Sequence, residues 1–197
     1  MNDVTAVRSY LNLVGNTLAK LPTGTIDDIV GVLCRAYERE HTIFVFGNGG
    51  SAALASHFVC DLGKGTVRGS GKRFKVIALT DNVPLITAWA NDSSYENIFA
   101  EQLANLIRSD DVAFAISGSG NSKNVLKALK VARNSGAITV GLSGFQGGEM
   151  KGLCDTCMIV PSNNMQVIED LHLSIAHAVF TAVKERMSTR VQAVFAD

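Results

Sequence analysis

The sequence of 197 residues has little proline and no excess of charge of either sign. It has only three prolines and no low-complexity stretch, so we expect one domain rather than domains joined by a Pro-rich linker. Eighteen Lys and Arg balance eighteen Asp and Glu, which argues against a basic face for nucleic acid. No apolar run approaches the roughly 18 residues of a membrane span, and no signal-peptide pattern opens the chain. We expect a cytoplasmic protein that binds neither nucleic acid nor membrane.

The sequence also has too few cysteines for a disulfide framework. Its four cysteines, in a chain of this length without a secretion signal, are expected to be reduced. Cys154 and Cys157 form a C-x-x-C pair, but no second pair completes a structural zinc site. The apolar run 158–161 after them is typical of a buried strand. We therefore favour a structural role for this pair over a metal or redox role.

Short β-branched and aromatic runs alternate with longer stretches of helical period, in a chain that is 47% apolar. The runs are nearly continuous, which indicates parallel strands covered on both faces. The predicted strands are 42–46, 74–79, 112–116, 138–142 and 157–160. The predicted helices are 3–20, 26–39 with Thr25 as N-cap, 51–62, 83–90, 95–107, 122–134 and 165–187.

These elements predict an α/β fold in which helices cover both faces of a five-stranded parallel sheet, a three-layer sandwich. Residues 1–197 would form a single domain. Two N-terminal helices would occupy 1–40, the α/β core 41–187, and a frayed or swapped tail 188–197.

Two loops of similar composition follow the first and third predicted strands. Segments 44–51 and 115–122 each consist of a strand, a Gly/Ser/Asn loop and the start of a helix. A helix N-terminus offers unpaired N–H groups and partial positive charge to an anion. The second loop adds the hydroxyls of Ser117, Ser119 and Ser122, which a tight turn could direct at one phosphate. We predict a phosphate monoester site there; the alternative is an exposed turn with an N-cap serine.

Two glycine motifs resemble nucleotide sites only in part. Residues 47–52 satisfy the dinucleotide pattern G-x-G-x-x-A, but Arg68 and Arg73 follow about twenty residues later, where NAD would need an acid. NAD is therefore disfavoured, while NADP stays open. Residues 63–66 resemble the end of an ATP-binding loop, but the required earlier glycine falls at Phe58, which excludes it.

Two sets of histidine and carboxylate lie on predicted helices. Asp61 follows His57 by four residues, which places both on one helix face. In the last helix, Asp170 and His177 differ by only about 20° around the axis, against about 80° for Glu169 and His177. Imidazole with carboxylate suits either a zinc site or a general acid/base pair, and spacing does not choose between them.

Taken in order, these motifs resemble the single-domain sugar isomerase (SIS) proteins, most closely the phosphoheptose isomerase family. The resemblance covers nearly the whole chain. It rests on several motifs in order along the chain and on the last helix with His172 and His177. These motifs are segments 47–52, 57–58, 80–81, 90–92, 99–100, 116–122, 124–125 and 147–148. It implies an aldose–ketose isomerase that converts sedoheptulose 7-phosphate to glycero-manno-heptose 7-phosphate through an enediol, for the synthesis of surface polysaccharide or nucleotide heptose.

The resemblance also implies roles for individual residues. His177 would be the base, with Asp61 and Glu169 as the other catalytic groups. These three and His57 would ligate one zinc ion per subunit. The implied sugar-phosphate ligands are Asn48, Gly49, Gly50, Ser51, Asn91, Asp92, Ser117, Gly118, Ser119, Ser122 and Glu169. Family sites are assembled across subunits, and the flanking helices here are apolar, so a homotetramer is expected.

Two positions depart from the family pattern. Asp61 stands where the family has the longer glutamate, and Glu169 stands where it has glutamine. The added carboxylate is expected to strengthen binding of a dication, or to raise one carboxyl pKa where no metal is bound. The segment 63–66 also lacks the arginine usual after this helix, which bears on the choice of sugar.

Two other functions compete with isomerisation. One is a SIS module without chemistry, which binds sugar phosphates or associates with a replication initiator; His57, Asp61 and His177 argue against it. The other is an NADP-dependent reductase that uses the first glycine loop.

Overall fold

A parallel β-sheet lies at the centre of the structure, a computed structural model that describes residues 4–67 and 72–194. The strands, in chain order β1 to β5, are Thr42–Gly47, Lys75–Ala78, Val112–Ile116, Ile138–Ser143 and Thr156–Ile159. They are arranged β2-β1-β3-β4-β5, and every pairing is parallel. The expected five-stranded parallel sheet is confirmed, and each strand lies within one residue of its predicted bounds.

Helices and two short 3₁₀ turns connect the strands in the described ranges. The helices, α1 to α7, are Val4–Leu18, Thr23–Arg39, Gly50–Gly65, Val83–Asp92, Ala100–Leu106, Lys123–Asn134 and Met165–Val194. The 3₁₀ turns are Tyr95–Asn97 and Glu149–Gly152. In the part of the chain that the structure describes, no helix has the length and apolarity to cross a membrane.

The strands contribute alternate side chains to two separate hydrophobic cores. Ile43 and Val45 of β1 pack with α2, α3 and α7 on one face, while Phe44 and Phe46 pack with α5 and α6 on the other. Successive side chains of a strand point to opposite faces, so a strand covered on both sides must be apolar throughout. The predicted three-layer sandwich is confirmed.

Some helix ends differ from prediction. α2 begins at Thr23, directly after Pro22, so the predicted N-cap Thr25 is wrong and this residue lies in the first turn. Pro22 has φ of −73°, a value already close to that of a helix, which lets the helix begin early. The predicted helix 95–107 is also wrong as one element, because Ile98 and Phe99, each 1% exposed, turn into the core between the 3₁₀ turn and α5.

The C-terminal helix is longer than expected. α7 continues to Val194, so the predicted tail at 188–197 is wrong for residues 188–194. Residues 195–197 lie outside the described residues, as does residue 3, the first of the predicted helix 3–20. Segment 188–194 contains neither glycine nor proline, and nothing in it ends a helix.

His172 connects α7 to the end of β4. Its side chain is buried, and its Nε2–H donates to the carbonyl of Ser143 at 3.1 Å. Burial lowers the pKa of His172 from 6.5 to about 4, because a charged ring would lose its hydration; the bond to Ser143 opposes this shift. The folded protein therefore holds this ring neutral.

We expect the free energy of unfolding to fall as pH decreases from about 6.5 towards 4. In this range the unfolded chain binds a proton at His172 that the folded chain does not, so stability is lost on acidification, by up to about 1.4 kcal/mol per pH unit. His172→Gln should lack this part of the slope, and His41→Gln should retain it. Urea denaturation at several pH values measures the slopes; equal slopes in His172→Gln and the wild type would contradict the assignment.

Candidate active site

Helices α3 and α7 bring two histidines and one aspartate into a cluster. His57 and Asp61 lie one turn apart on α3, with 3.3 Å between Nε2 and Oδ2. Nε2 of His177, on α7, lies 2.9 Å from Nε2 of His57 and 3.8 Å from Oδ2 of Asp61. The three donor atoms all lie within 4.8 Å of one another. The structure thus brings His177 of the last helix to the first histidine–carboxylate set, His57 and Asp61.

The short contact between the two rings limits what this cluster can be. Two imidazole nitrogens 2.9 Å apart repel each other unless a proton or a cation lies between them. With a proton, one ring donates Nε2–H to the other, and the cluster is a proton relay. With a cation, two nitrogens and one carboxylate oxygen are donors that zinc prefers, and three protein ligands leave a position open, as in catalytic zinc sites. The His57 and His177 side chains are about half exposed, at 47% and 50%.

The cluster borders a pocket between α3 and α7. The pocket is lined by Gly50, Ser51, Ala53, Leu54, His57, Glu169, Asp170, His172, Leu173 and His177. Glu169 faces the first glycine loop, since a Cβ placed on Gly50 would lie 3.5 Å from its Oε2. Glu169 does not belong to the group of three donors. Of the four implied zinc ligands, the structure brings three together and places the fourth elsewhere in the same pocket.

Asp170, which helical spacing favours over Glu169, is held by another element. The hydroxyl of Tyr10, on α1, donates to its carboxylate. The same hydrogen bond raises the pKa of Tyr10. Spacing within α7 could not reveal this contact, because it depends on where α1 packs.

The serine loop, residues 117–122, lies between β3 and α6. Gly120 has φ of +66°, and a Cβ there would lie 2.1 Å from the carbonyl oxygen of Gly147, so the turn requires glycine. The turn brings Oγ of Ser117 to 3.2 Å from Oγ of Ser122. Ser122 precedes α6 but makes no side-chain cap bond, so its hydroxyl leaves the helix N-terminus open to an anion.

The other two predicted ligands in the loop, Gly118 and Ser119, also make close contacts. Oγ of Ser119 accepts from the backbone N–H of Asn121 at 3.2 Å. Gly118 packs so closely on Met165 that a Cβ would lie 2.6 Å from its sulfur. No serine of this loop lines the pocket that holds His57 and His177 in the described chain.

Two asparagines link the first loop to the serine loop. Asn48 follows β1 and Asn124 lies in the first turn of α6, and their side-chain amides exchange hydrogen bonds of 2.9 and 2.8 Å. The hydroxyl of Tyr95 also donates to Oδ1 of Asn48, at 3.0 Å. The helices after β1 and β3 lie on opposite faces of the sheet, and such a switch point is where α/β proteins bind ligands.

Sequence reasoning gave Asn124 and Tyr95 no role. Asn124 is buried at the start of the apolar face of α6. A polar residue on an apolar helix face was the available signal for it. Tyr95 carried no signal, because its partner is distant in sequence.

The other predicted ligands lie on α3 and α4. Gly49 and Gly50 are exposed at the N-terminus of α3, while Ser51 is buried in its first turn. Asn91 and Asp92 are exposed at the end of α4, and Nδ2 of Asn91 donates to Oδ1 of Asp92 at 2.7 Å. The 3₁₀ turn that carries Tyr95 follows directly.

Comparison with known proteins places this arrangement in a family. The model of the SIS domain matches residues 9–144. A phosphoheptose isomerase of Paramagnetospirillum magneticum is 46% identical over 142 residues, 72% of this chain and 73% of that protein. A probable phosphoheptose isomerase of Thermoplasma acidophilum is 38% identical over 164 residues, 82% of this chain and 90% of that protein. The structure of a phosphoheptose isomerase from Francisella tularensis, 28% identical, matches with a TM-score of 0.87 over 94% of this chain and 100% of that one. The chain belongs to the SIS-domain family and, within it, to the phosphoheptose isomerases.

Proposed function

We propose that this protein isomerises sedoheptulose 7-phosphate to glycero-manno-heptose 7-phosphate by proton transfer through an enediol. The observation that carries this proposal is the cluster of His57, Asp61 and His177 beside a glycine loop at the switch point of the sheet. Membership of the phosphoheptose isomerases supports the choice of substrate. The reaction would supply heptose phosphate for surface polysaccharide or nucleotide-heptose synthesis.

The phosphate end of the substrate would bind at the serine loop. Ser117, Ser119 and Ser122 supply neutral donors, and the N-terminus of α6 adds partial positive charge. Gly118 would contribute its backbone N–H, because Met165 fills the space where a side chain at this position would lie. The sugar hydroxyls would contact polar side chains and backbone of the first loop and of the α4 end, namely Asn48, Gly49, Gly50, Ser51, Asn91 and Asp92, with Glu169 beside them.

Proton transfer would be performed by His177. A neutral imidazole takes the proton from the carbon next to the carbonyl and returns it to the other carbon of the enediol. Asp61, 3.8 Å from its Nε2, stabilises the charged ring that forms in between. Glu169 faces Gly50 across the pocket and would hold a substrate hydroxyl.

Zinc is the metal that this donor set favours. His57, Asp61 and His177 would hold it, and Glu169 would join them from the same pocket. A nitrogen bound to the ion cannot take a proton, so His177 would act as the base only when it is released from the ion. When bound, the ion would polarise the sugar carbonyl, which would make the neighbouring proton easier to remove.

We also propose a cytoplasmic homotetramer whose sites lie between subunits. The outer face of α1 exposes large apolar side chains, with Val7 at 59% and Leu11 at 61%. A soluble chain covers such residues most simply against another copy. No serine of the loop 117–122 lines the histidine pocket in the described residues, which supports a site to which two copies contribute.

Replacing the base should stop turnover. We expect His177→Ala to lower kcat for sedoheptulose 7-phosphate by at least about 100-fold, because the general base is lost. His41→Ala, which removes a histidine beside the amino end of β1, is the matched control and should keep wild-type kcat. An enzyme assay that follows the aldose product measures both. Normal kcat in a folded His177→Ala protein would contradict the assignment.

Removing a phosphate donor should weaken binding instead. We expect Ser119→Ala to raise KM by about tenfold, since hydrogen bonds to charged groups contribute roughly 1.5–3 kcal/mol, and to leave kcat nearly unchanged. Ser135→Ala at the far end of α6 should change neither constant. Steady-state kinetics separate the two effects, and an unaltered KM in Ser119→Ala would remove this serine from the phosphate site.

The ion can be measured directly. Protein prepared without chelator should contain about one zinc per chain, and Asp61→Ala should contain far less, because one ligand is missing. Asp28→Ala, on an exposed position of α2, should retain the metal. Elemental analysis gives the content; equal zinc in Asp61→Ala and wild type would refute the ligand set.

A further inference from the structure

Two thiols meet at the edge of the sheet, outside the pocket described above. Cys154 follows the 3₁₀ turn Glu149–Gly152, and Cys157 lies in β5. A Cβ placed on Gly141 of β4 would lie 2.8 Å from Sγ of Cys154 and 3.3 Å from Sγ of Cys157. Both sulfurs therefore converge on the space that a side chain at 141 would fill. Glycine inside a strand marks such a close approach.

The two thiols also interact with each other. The interaction between their side chains lowers the pKa of Cys157 and raises the pKa of Cys154. Lys151 lowers the pKa of Cys157 further, although burial opposes the change. Cys157 is thus the thiol that ionises more readily. Both cysteines are partly exposed, so small molecules can reach them.

A chain of backbone contacts leads from this pair to the serine loop. The N–H of Cys154 donates to the carbonyl of Met150 at 3.1 Å, and the N–H of Met150 donates to the carbonyl of Gly120 at 3.0 Å. The N–H of Glu149 donates to Oδ1 of Asn121 at 2.9 Å. The 3₁₀ turn therefore lies between the thiols and the loop.

In place of the structural role expected from the sequence, we propose that Cys154 and Cys157 form a reversible intramolecular disulfide, and that its formation shifts the serine loop. Closing the bond brings the two sulfurs closer together than they are in the free thiols. Cys157 is held in β5 by its pairing with Gly141 of β4. Cys154, and the 3₁₀ turn bonded to it, must therefore move when the disulfide forms. The effect on phosphate binding rests on the proposed function, whereas the disulfide does not.

A peroxide is a sufficient oxidant. The Cys157 thiolate attacks one oxygen of hydrogen peroxide, the O–O bond breaks, and the departing hydroxide takes a proton to become water. The sulfur of Cys154 then attacks the resulting sulfenic acid, the S–O bond breaks, and the second hydroxide takes the Cys154 proton. The pair loses two electrons, and the peroxide is reduced to two molecules of water. A dithiol reductant reverses the change by exchange.

Peptide mapping tests the disulfide. Trypsin releases residues 152–184 as one peptide, which contains Cys154 and Cys157 but not Cys34 or Cys60. After peroxide treatment and alkylation, we expect this peptide from wild type to lose two hydrogens and both alkylation sites, and dithiothreitol to restore them. Cys154→Ser and Cys157→Ser should form no cross-link, while Cys60→Ser, which removes an exposed lone thiol, should behave as wild type. Two alkylated cysteines in the treated wild-type peptide would overturn the proposal.

Inorganic phosphate tests the effect on the loop. We expect oxidation of the full-length wild type to remove at least half of the rise in Tm that phosphate produces, because the loop moves. The same treatment of Cys154→Ser should leave that rise unchanged. An equal rise in oxidised and reduced wild type would overturn the link to the loop. Neither readout measures turnover, so absence of isomerase activity would count against the proposed function alone.

Discussion

The parallel pairing of β1 with β3 is the constraint on which the candidate site depends. Both strands are buried on both faces, and a parallel strand can return only through a helix that covers one face. Because α3 and α6 leave this pair on opposite faces, the loops before them separate at one edge and form a crevice. The glycine loop, the serine loop and the asparagine pair between them are all consequences of this single arrangement.

Burial separates the histidines of the last helix into two chemical kinds. His172 is enclosed, stays neutral well into acid, and ties α7 to β4. His177, five residues later, is half exposed and faces another ring and a carboxylate. One helix thereby carries an enclosed imidazole and an accessible one, and the difference comes from which side of the helix packs against the sheet.

The sheet could be predicted from the sequence because its strands must be apolar on both faces, which leaves runs such as 112–116 without polar interruption. The pairing of His57 with Asp61 was equally accessible, since a spacing of four fixes a helix face. What the sequence could not reveal depends on contacts between distant elements. Tyr10 engages Asp170, Ile98 and Phe99 interrupt a helix to fill the core, and Asn124 meets Asn48. None of these follows from local period or spacing.

The hydrogen bonds between Asn48 and Asn124 also determine which hydrogen bonds Asn48 can form with a ligand. Its Oδ1 accepts from both Asn124 and Tyr95, and a carbonyl oxygen has only two lone pairs. One N–H of its Nδ2 is used by Asn124, so a single proton is left for a guest. The side chain of Asn48 can therefore donate one hydrogen bond to a ligand oxygen, but it cannot accept a hydrogen bond from a ligand hydroxyl. Because the amide and hydroxyl groups in these hydrogen bonds are uncharged, this preference of Asn48 for a hydrogen-bond acceptor does not depend on ionic strength.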